Sequence, residues 1–222
     1  MPFQTKEIVE AFHFYAIVTD SVPNLQQNKK VMNDLAIQVP ASYPAIQQQT
    51  EAIGFTMPSD QQSGALLRTL AASKPGGRIL DLGTGTGLSL SWLLEGMDDN
   101  SSIISIDNDP EVSGIAQGIL GSDSRATLLC EDGDNWLAQY DGPGFDLIFA
   151  DAWPGKYSQL DKTLSLLNPG AFYVIDDMAP QENWPEGHLP KSEALLATLE
   201  AREDLMVVKL NWSTELMLCV KQ

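Results

Sequence analysis

The chain has 222 residues and a mass of 24.2 kDa, which is the size of one large α/β domain or of two small ones. Hydrophobic residues make up 43% of the sequence and charged residues 19%, so the chain can bury a core. Lys and Arg number 13 against 30 Asp and Glu, and the net charge of −17 excludes proteins that bind nucleic-acid backbones or anionic membrane surfaces through bulk charge.

The sequence pattern contains neither a membrane span nor an export signal. No apolar run approaches the ~20 residues that a bilayer span needs. The first residues, MPFQTKEIVEAF, include acidic side chains and lack the apolar core of a secretory signal. Cys130 and Cys219 lie in apolar runs typical of strands, and we interpret both as reduced residues of the core. We therefore expect a cytoplasmic protein with no nucleic-acid partner and no membrane partner.

Residues 1–58 predict an N-terminal helical cap or lid. Helical patterns cover residues 5–18 and 25–39. The turn-rich stretch over residues 40–58 predicts a loop or lid. We expect a second, larger domain to cover residues 59–222.

Beyond residue 75, short apolar runs alternate with helical patterns. Strands are predicted over residues 78–82, 102–107, 126–130, 145–151, 171–176, 205–210 and 215–220. Helices are predicted over residues 60–73, 88–94, 110–120, 134–140, 158–167 and 191–202. The linker between the last two strands is too short for a crossover, so these strands must be antiparallel. The pattern predicts an α/β fold with a doubly wound, mainly parallel seven-stranded sheet, an antiparallel last strand and N-terminal helices.

A glycine-rich turn, DLGTGTG at residues 81–87, follows the first strand and opens the next helix. The second strand ends in Asp107, about 20 residues later, where a carboxylate can accept hydrogen bonds from the diol of a ribose. A dinucleotide fingerprint needs glycine at its sixth position, where this chain has Leu88. The carboxylate of Asp81 would repel a pyrophosphate but attract the amino group and sulfonium of S-adenosylmethionine (SAM). These residues favour SAM over NAD or a nucleoside triphosphate.

Five motifs in this order resemble the class I SAM-dependent methyltransferases: ILDLGTGTG, SIDND, EDGD, FDLIFADAW and LLNPGAFYVIDDM. The resemblance covers roughly residues 60–220 and is to small-molecule O-methyltransferases of the catechol and caffeoyl-CoA type and their bacterial relatives. It implies a Rossmann-like methyltransferase fold, SAM as the cofactor, and residues 59–222 as the SAM-binding domain.

The resemblance also implies a cofactor site at the glycine-rich turn and at acidic strand ends. Residues 83–85 would surround the methionine part of SAM, Asp107 would hold the ribose, and Asp132 would meet the adenine amino group. The residues that we expect to bind the cofactor are Asp81, Gly83, Thr84, Gly85, Gly87, Asp107, Asp132, Gly133 and Asp151. Two alternatives stay open: Asp107 forms only a strand-end turn with Asn108, and Asp132 only caps the following helix.

Three carboxylates end the fourth and fifth strands, namely Asp151, Asp176 and Asp177. Neighbouring strands lie about 5 Å apart, so these groups would repel one another unless a cation lies between them. The resemblance implies a divalent-cation site of two acids and an amide here, and Asp177 replaces the amide. Mg²⁺ or Ca²⁺ suits such oxygen ligands. In the alternative, Asp176 and Asp177 form a solvent-facing turn, and Asp151 contacts SAM or a backbone amide.

The residue at the position of the general base differs from that of the resembling family. The family's lysine, three residues after the first metal aspartate, corresponds to Pro154, and the nearest lysine is Lys156. Lys156 can replace it only if the turn over residues 153–155 redirects the side chain, and otherwise it is a surface lysine. His188 is a second candidate base. In the alternative, His188 is a solvated loop histidine without a catalytic role. Together with Asp151, these two residues are the candidate catalytic residues.

Aromatic residues in the same loops predict walls for a flat acceptor, with ordinary packing as the alternative: Trp153, Tyr157 and Trp184. We expect the N-terminal residues 1–58 to cover the acceptor site. A homodimer interface in this segment, as in the resembling family, stays open.

These features together predict a SAM-dependent O-methyltransferase that acts on a hydroxyl of a small molecule with the help of a divalent cation. A metal-independent methyltransferase that uses a general base is the first alternative. A SAM-binding protein without catalysis is the second. An NAD-dependent dehydrogenase comes last, because Asp81 and Leu88 both oppose it.

Overall fold

The computed structural model describes residues 33, 37–181, 184–212 and 214–222. The predicted helix over residues 5–18 and most of the one over residues 25–39 lie outside this part of the chain. Residues 37–39, at the end of the second predicted helix, are not helical. Residues 37–222 form one unit of the chain. The domain boundary at residue 59 stays a prediction.

Helices and strands alternate through most of this unit. The helices are α1 (Tyr43–Ala52), α2 (Gln61–Ala72), α3 (Leu88–Gly96), α4 (Pro110–Leu120), α5 (Gly133–Gln139), α6 (Leu160–Ser165) and α7 (Leu189–Glu200). The strands are β1 (Arg78–Leu82), β2 (Ser102–Asp107), β3 (Ala126–Cys130), β4 (Phe145–Ala150), β5 (Leu167–Ile175), β6 (Leu205–Leu210) and β7 (Leu216–Lys221). Among these described helices, none has both the length and the apolar character that a membrane span requires.

The strands form one seven-stranded sheet in the order β3-β2-β1-β4-β5-β7-β6. The first five strands pair in parallel, and β7 runs antiparallel to both β5 and β6. This topology confirms the predicted doubly wound sheet and its antiparallel last strand. Its order reverses between β1 and β4, and sheets of this kind bind ligands beyond the carboxyl ends of the strands at such a point.

The register of the sheet brings three strand ends to the same level. Leu82 of β1 is paired with Ile106 of β2 on one side and with Ala150 of β4 on the other. Because parallel strands all end at the same edge, the residues that follow these three positions emerge side by side. The fold therefore places the glycine-rich turn next to Asp107 and Asp151.

Both faces of the sheet carry a hydrophobic core, as a sheet covered by helices requires. Along β1, Ile79 belongs to the core of one face and Leu80 to the core of the other. Helix α3 is buried over residues 88–94. It packs closely against α2, where a Cβ added to Gly64 would come within 2.3 Å of Trp92 Nε1. The helix that follows the glycine-rich turn is therefore fixed in the core.

Residues 40–58 differ from the prediction of a loop or lid, because α1 occupies the middle of this stretch. Pro44 lies in the first turn of α1, where proline is tolerated. Ile46 is buried, and the Tyr43 ring meets Trp92 edge to face with ring centroids 5.8 Å apart. These contacts make α1 part of the packed core.

The fifth strand also differs from the prediction, since it begins at Leu167 rather than at residue 171. It runs through Pro169 and Gly170, and its pairing with β4 shifts register between Phe145 and Leu147. Such an irregularity allows a strand to carry residues that would otherwise end it. Helix α6 is correspondingly shorter than predicted and ends at Ser165.

The two cysteines have different environments, although the sequence predicts a core position for both. Cys219 on β7 is buried, and Cys130 at the end of β3 is exposed. The prediction is wrong for Cys130 because β3 is an edge strand of the sheet. Both thiols are free.

Candidate functional site

A cavity of about 570 Å³ opens at the carboxyl ends of β1, β2, β4 and β5. Its volume lies within the range of about 300–1,000 Å³ found for small-molecule sites. The predicted site residues on its wall are Gly83, Thr84, Gly85, Asp107, Gly133, Asp151, Trp153, Lys156, Tyr157, Asp176, Asp177, Trp184 and His188. One cavity thus unites motifs that are more than 100 residues apart in the sequence.

Two parts of the wall have different chemical character. The loop side consists of residues 83–85 and Asp107. The acid side consists of Asp151, Lys156, Asp176, Asp177 and His188.

The glycine-rich turn of the loop side is held between two strand ends. The amides of Gly83 and Thr84 both donate to the carbonyl of Ile106, at 2.9 and 3.2 Å. Gly83 has a φ of 108°, and a Cβ at this position would lie 2.6 Å from the carbonyl oxygen of Asp151. Only glycine combines this conformation with so close an approach to another backbone.

Asp107 organises the same turn through both of its carboxylate oxygens. Oδ2 accepts a hydrogen bond from the Gly85 amide at 2.7 Å, and Oδ1 accepts one from the Asp109 amide at 2.9 Å. The strand-end turn that the sequence left as an alternative is therefore present. The carboxylate also lies on the cavity wall, so the turn does not remove it from the site.

Asp81, predicted to contact the cofactor, lies behind the loop rather than on the cavity wall. Its side chain is fully buried, and Oδ2 accepts a hydrogen bond from Ser105 Oγ at 2.6 Å. Ser105 Oγ is also 2.6 Å from Thr84 Oγ1, which links Asp81 to the loop side. Oδ1 has no partner among the described residues. Burial, opposed by the bond from Ser105, raises the pKa of Asp81 to about 7.

Gly87 and Asp132, two further predicted cofactor residues, also lie off the wall. A Cβ at Gly87 would lie 3.0 Å from the Ala116 Cβ, so this glycine allows α3 and α4 to pack. Asp132 is exposed and accepts a hydrogen bond from the Asn135 amide at 2.8 Å, as the N-cap of α5. The capping alternative is thus observed, and the contact of Asp132 with adenine stays a prediction.

Asp176 is the most deeply buried acid of the acid side, with 2% of its surface exposed. Its Oδ1 accepts hydrogen bonds from Thr214 Oγ1 at 2.5 Å and from the Asp177 amide at 2.8 Å. Burial, against the opposing bond from Thr214, raises the pKa of Asp176 to about 6. Asp177 has a φ of 56°, a conformation that is uncommon for residues other than glycine.

Asp151 is the residue of the acid side whose backbone lies against Gly83 of the glycine-rich turn. Its Oδ2 accepts a hydrogen bond from Ser59 Oγ at 3.1 Å. Burial is the main reason that the pKa of Asp151 is raised well above its usual value, and the charge of Asp176 adds to the rise. The Lys156 ammonium acts in the opposite direction and lowers it.

Lys156 is buried, which contradicts the expectation of a surface lysine. Only 5% of the residue is exposed, and Nζ donates a hydrogen bond to the main-chain carbonyl of Asp176 at 2.7 Å. The reason is the turn after Trp153, whose carbonyl accepts hydrogen bonds from the amides of Lys156 and Tyr157 at 3.1 and 2.9 Å. Gly155 adopts a φ of 87° inside this turn. The turn directs the lysine inward.

The structure does not show the predicted cation site at the three carboxylates. Among the described residues, no group of three or more His, Cys, Asp or Glu side chains is arranged to hold a metal ion. One oxygen each of Asp151 and Asp176 accepts hydrogen bonds from the protein, and the Lys156 ammonium supplies a positive charge beside them. This donor set does not fit the divalent cation that the resemblance implies.

His188 is buried in a group of aromatic rings and is not the solvated loop histidine of the alternative. Its ring centroid lies 4.3 Å from that of Trp184, 4.8 Å from that of Tyr157 and 5.4 Å from that of Trp153. Its Nδ1 is buried and has no partner among the described residues. Burial, and then the charges of Lys156 and Lys191, lower the pKa of His188, so the imidazole is neutral at neutral pH.

The family described as a methyltransferase domain matches residues 80–178, from β1 to just beyond β5. This match covers less than half of the chain. The matched segment contains the whole loop side and all of the acid side except His188.

Two curated relatives that match part of this chain come from mycobacteria. A protein of Mycobacterium avium (strain 104), provisionally named an O-methyltransferase, is 32% identical over 117 residues, which cover 50% of this chain and 53% of that protein. A protein of Mycobacterium marinum with the same provisional name is 35% identical over 117 residues, covering 50% of this chain and 52% of that protein. The chain therefore spans about half the length of the curated relatives it matches.

Solved methyltransferase structures share the fold. The O-methyltransferase TomG from Streptomyces achromogenes, in complex with SAM, has a TM-score of 0.74 at 20% identity over 85% of this chain and 92% of that one. The O-methyltransferase from Bacillus cereus, in complex with S-adenosylhomocysteine (SAH), has a TM-score of 0.73 at 17% identity over 85% of this chain and 94% of that one. The resemblance to class I SAM-dependent methyltransferases and the Rossmann-like fold are confirmed.

Several residues on the cavity wall were not predicted. Phe55 and Met57 come from the segment between α1 and α2, Ser59 binds Asp151, and Thr214 binds Asp176. Ser59 and Thr214 are ordinary polar residues of loops, and no spacing or motif distinguishes them in the sequence. Their roles arise only because the fold brings these loops to the strand ends.

Proposed function

We propose that this chain is a SAM-dependent O-methyltransferase that transfers a methyl group to a hydroxyl of a small molecule without a divalent cation. The observation that carries the proposal is a single cavity with both a loop side and an acid side. Methyl transfer is an in-line displacement, so its rate depends on holding the donor and the acceptor in contact in one orientation. A cavity with two chemically different sides provides a place for each of them.

The loop side suits the cofactor in shape and in charge. Asp107 presents a carboxylate that can accept hydrogen bonds from ribose hydroxyls, and Gly83, which has no side chain, lies beside it on the cavity wall. The acids on the wall are Asp107, Asp109, Glu131, Asp151, Asp176 and Asp177. Lys156 is the only Lys or Arg on this wall within the described part of the chain. An acidic wall attracts a sulfonium and repels a pyrophosphate. When bound, SAM supplies an electrophilic methyl group and leaves as SAH.

The acid side suits a small acceptor. Trp153, Trp184 and His188 offer ring surfaces against which a flat molecule can lie. The volume of about 570 Å³ has to hold the cofactor and the acceptor together, which favours an acceptor of modest size. Since the cofactor already carries a good leaving group, the protein mainly has to align the acceptor oxygen and favour its anionic form.

Divalent-cation assistance, which the sequence predicts, is not part of this proposal. The donor set of Asp151, Asp176 and Asp177 does not fit such an ion. A positive charge is already present beside them in Lys156. The metal-independent alternative is therefore the one that the site supports.

The proposal is tested by following a labelled methyl group from SAM to three acceptors, namely catechol, a flavonoid and a sugar, each with and without EDTA. We expect labelled product with at least one acceptor and the same rate in EDTA. A rate that EDTA abolishes and Mg²⁺ restores would return the three aspartates to a metal site. If calorimetry shows SAH binding but no acceptor is methylated, the chain is a SAM-binding protein without catalysis.

A further inference from the structure

We propose that the Lys156 ammonium is the resident cation of the acceptor site and binds the reacting oxygen of the acceptor, in the role that a divalent metal ion has in the resembling family. This inference rests on the proposed function. It names the group that binds the acceptor, and it gives the acceptor class as a molecule with one ionisable hydroxyl.

The first support is that the hydrogen-bonding capacity of Lys156 is not used up within the described part of the chain. An ammonium has three donors, and Nζ donates to one main-chain carbonyl, that of Asp176. The ion pairs of the described residues involve other lysines and arginines. A buried ammonium is costly unless its remaining donors find acceptors. Since Lys156 lies on the cavity wall, an oxygen of a bound molecule can be such an acceptor.

The second support is that the ammonium is held in place before any ligand binds. The turn that carries Lys156 is closed by the bond from the Gly155 amide to the Ser158 carbonyl at 2.8 Å. A Cβ on Gly155 would come within 2.5 Å of Leu82 Cδ1, so the turn lies directly against β1. Tyr173 Oη donates to the Gly155 carbonyl from β5. A charge fixed in this way does not have to reorganise when an anion forms beside it.

The third support is the charge of the surrounding groups. Asp151, Asp176 and Asp177 make the acid side negative, and an anionic acceptor would be repelled there without a local cation. His188 is neutral at neutral pH, so it does not supply that charge. Lys156 is therefore the residue whose positive charge can stabilise an acceptor oxyanion.

The reaction balances with Lys156 protonated throughout. The acceptor hydroxyl gives its proton to solvent water, and the oxyanion stays bound to the Lys156 ammonium. The oxygen then forms a bond to the methyl carbon, the bond from that carbon to sulfur breaks with its electrons remaining on sulfur, and SAH leaves. Because an ammonium does not chelate, the acceptor does not need a second hydroxyl beside the first.

The test measures ionisation of a bound phenol, separately from turnover. The probe is 4-nitrophenol, whose visible absorbance reports its phenolate, titrated with pH in the presence of protein saturated with SAH. We expect the pKa of the bound probe to fall by about one to three units, which is the usual effect of a close opposite charge. EDTA should not change this shift.

Substitutions of Lys156 distinguish its role as a fixed cation from a role as a general base. Lys156→Arg should keep the shift, because arginine holds its charge but cannot act as a base. Lys156→Gln should abolish it. Lys162→Gln is the matched control and should behave like the unmodified protein, because Lys162 also donates to a main-chain carbonyl, that of Tyr140 at 2.7 Å, but lies off the cavity wall.

Calorimetric SAH binding and the melting temperature show whether each variant is folded. If Lys156→Gln does not bind SAH, Lys156→Met replaces it. The proposal is overturned if the probe does not bind, if its pKa is unshifted, if Lys156→Gln or Lys156→Met keeps the shift, or if the shift requires Mg²⁺. Absence of SAH binding by the unmodified protein would instead contradict the proposed function.

Discussion

The loop side and the acid side of the cavity differ in how their polar groups are satisfied. On the loop side, both oxygens of Asp107 accept hydrogen bonds from backbone amides of the adjacent turn and helix start. On the acid side, Lys156 Nζ donates to one carbonyl, and His188 Nδ1 has no partner within the described part of the chain. The carboxylate of Asp107 on the loop side is therefore held in place by its own turn, whereas the acid side retains a donor and a ring nitrogen without a partner in the described residues.

The backbone shows the same difference. The non-glycine residues with positive φ in the described chain are Gln159, Asp177 and Glu215. Gln159 follows the turn that carries Lys156, Asp177 belongs to the acid side, and Glu215 follows the threonine that binds Asp176. Unfavourable backbone conformations persist where the surrounding structure enforces them, often at functional sites. The comparison indicates that the loop side depends on glycine, and the acid side on contacts between distant segments.

The largest effect is expected from Gly83→Ala, which should destroy the shape of the loop side. The new Cβ would lie 2.6 Å from the Asp151 carbonyl oxygen at a φ of 108°. We expect the free energy of unfolding to fall by about 3 kcal/mol, since strain and a backbone clash combine. Urea denaturation measures this change in the free energy of unfolding.

Gly114→Ala in α4 is the control and should raise stability by about 0.5–1 kcal/mol, because its Cβ meets no atom within 4 Å. Equal effects of the two substitutions would contradict the close approach at Gly83.

Asp107→Ala should weaken cofactor binding while the acid side stays intact. It removes the acceptor of the Gly85 amide and the proposed acceptor of the ribose hydroxyls. We expect the affinity for SAH to fall by about 10- to 100-fold, which corresponds to about 1.5–3 kcal/mol for bonds to a charged group. Calorimetric titration measures the affinity for SAH.

Asp161→Ala is the control, since that side chain is 95% exposed. Unchanged affinity in Asp107→Ala would remove Asp107 from the cofactor site.

The pH dependence of stability should reveal the buried acid behind the loop side. Because folding raises the pKa of Asp81 to about 7, the folded state binds its proton more tightly than the unfolded state does. Its contribution to stability is therefore present at low pH and is lost as pH rises towards 7. We expect a loss of about 2 kcal/mol between pH 5.5 and 8, with a slope of about 1.4 kcal/mol per pH unit below the folded-state pKa that levels off as pH rises through it.

Asp81→Asn should lack this component, so the difference in unfolding free energy between variant and parent should change with pH over that interval. Urea denaturation at pH 5.5, 6.3, 7 and 8 measures the difference. Asp151 and Asp176 titrate in both proteins in the same direction and cancel from it. Asp161→Asn should give a constant difference. A constant difference for Asp81→Asn would mean that the carboxyl of Asp81 is not neutral in the folded state at pH 5.5.

The smallest effect is expected from Thr214→Val on the acid side. It removes the hydroxyl that donates to Asp176 Oδ1. We expect stability at pH 8 to fall by about 1.5 kcal/mol, and by less at pH 5, where Asp176 is protonated. Urea denaturation at the two pH values measures this loss of stability.

Thr198→Val on the exposed face of α7 is the control and should change stability by less than about 0.5 kcal/mol at either pH. Equal losses at pH 5 and pH 8 would contradict an ionised partner.

Local patterns in the sequence predicted most of the sheet and the loop side. Strand runs, helix periodicity and the glycine-rich turn depend on residues that are close in the chain, and the resulting topology is the observed one. Asp107 and Asp151 could be placed at the cavity because the ends of neighbouring parallel strands meet at one edge. The boundaries were less accurate where Pro169 and Gly170 lie inside β5.

The acid side depends on tertiary structure. The inward direction of Lys156 results from the turn after Trp153 and from its bond to Asp176, which lies 20 residues later. The burial of His188 results from three rings of two other segments, and Cys130 is exposed because its strand forms an edge of the sheet. The sequence by itself determined the order of strands and helices and the glycine-rich loop on the cavity wall, since these follow from local pattern. Only the tertiary structure decided which positive charge faces the cavity, because that charge is positioned by contacts between segments far apart in the chain.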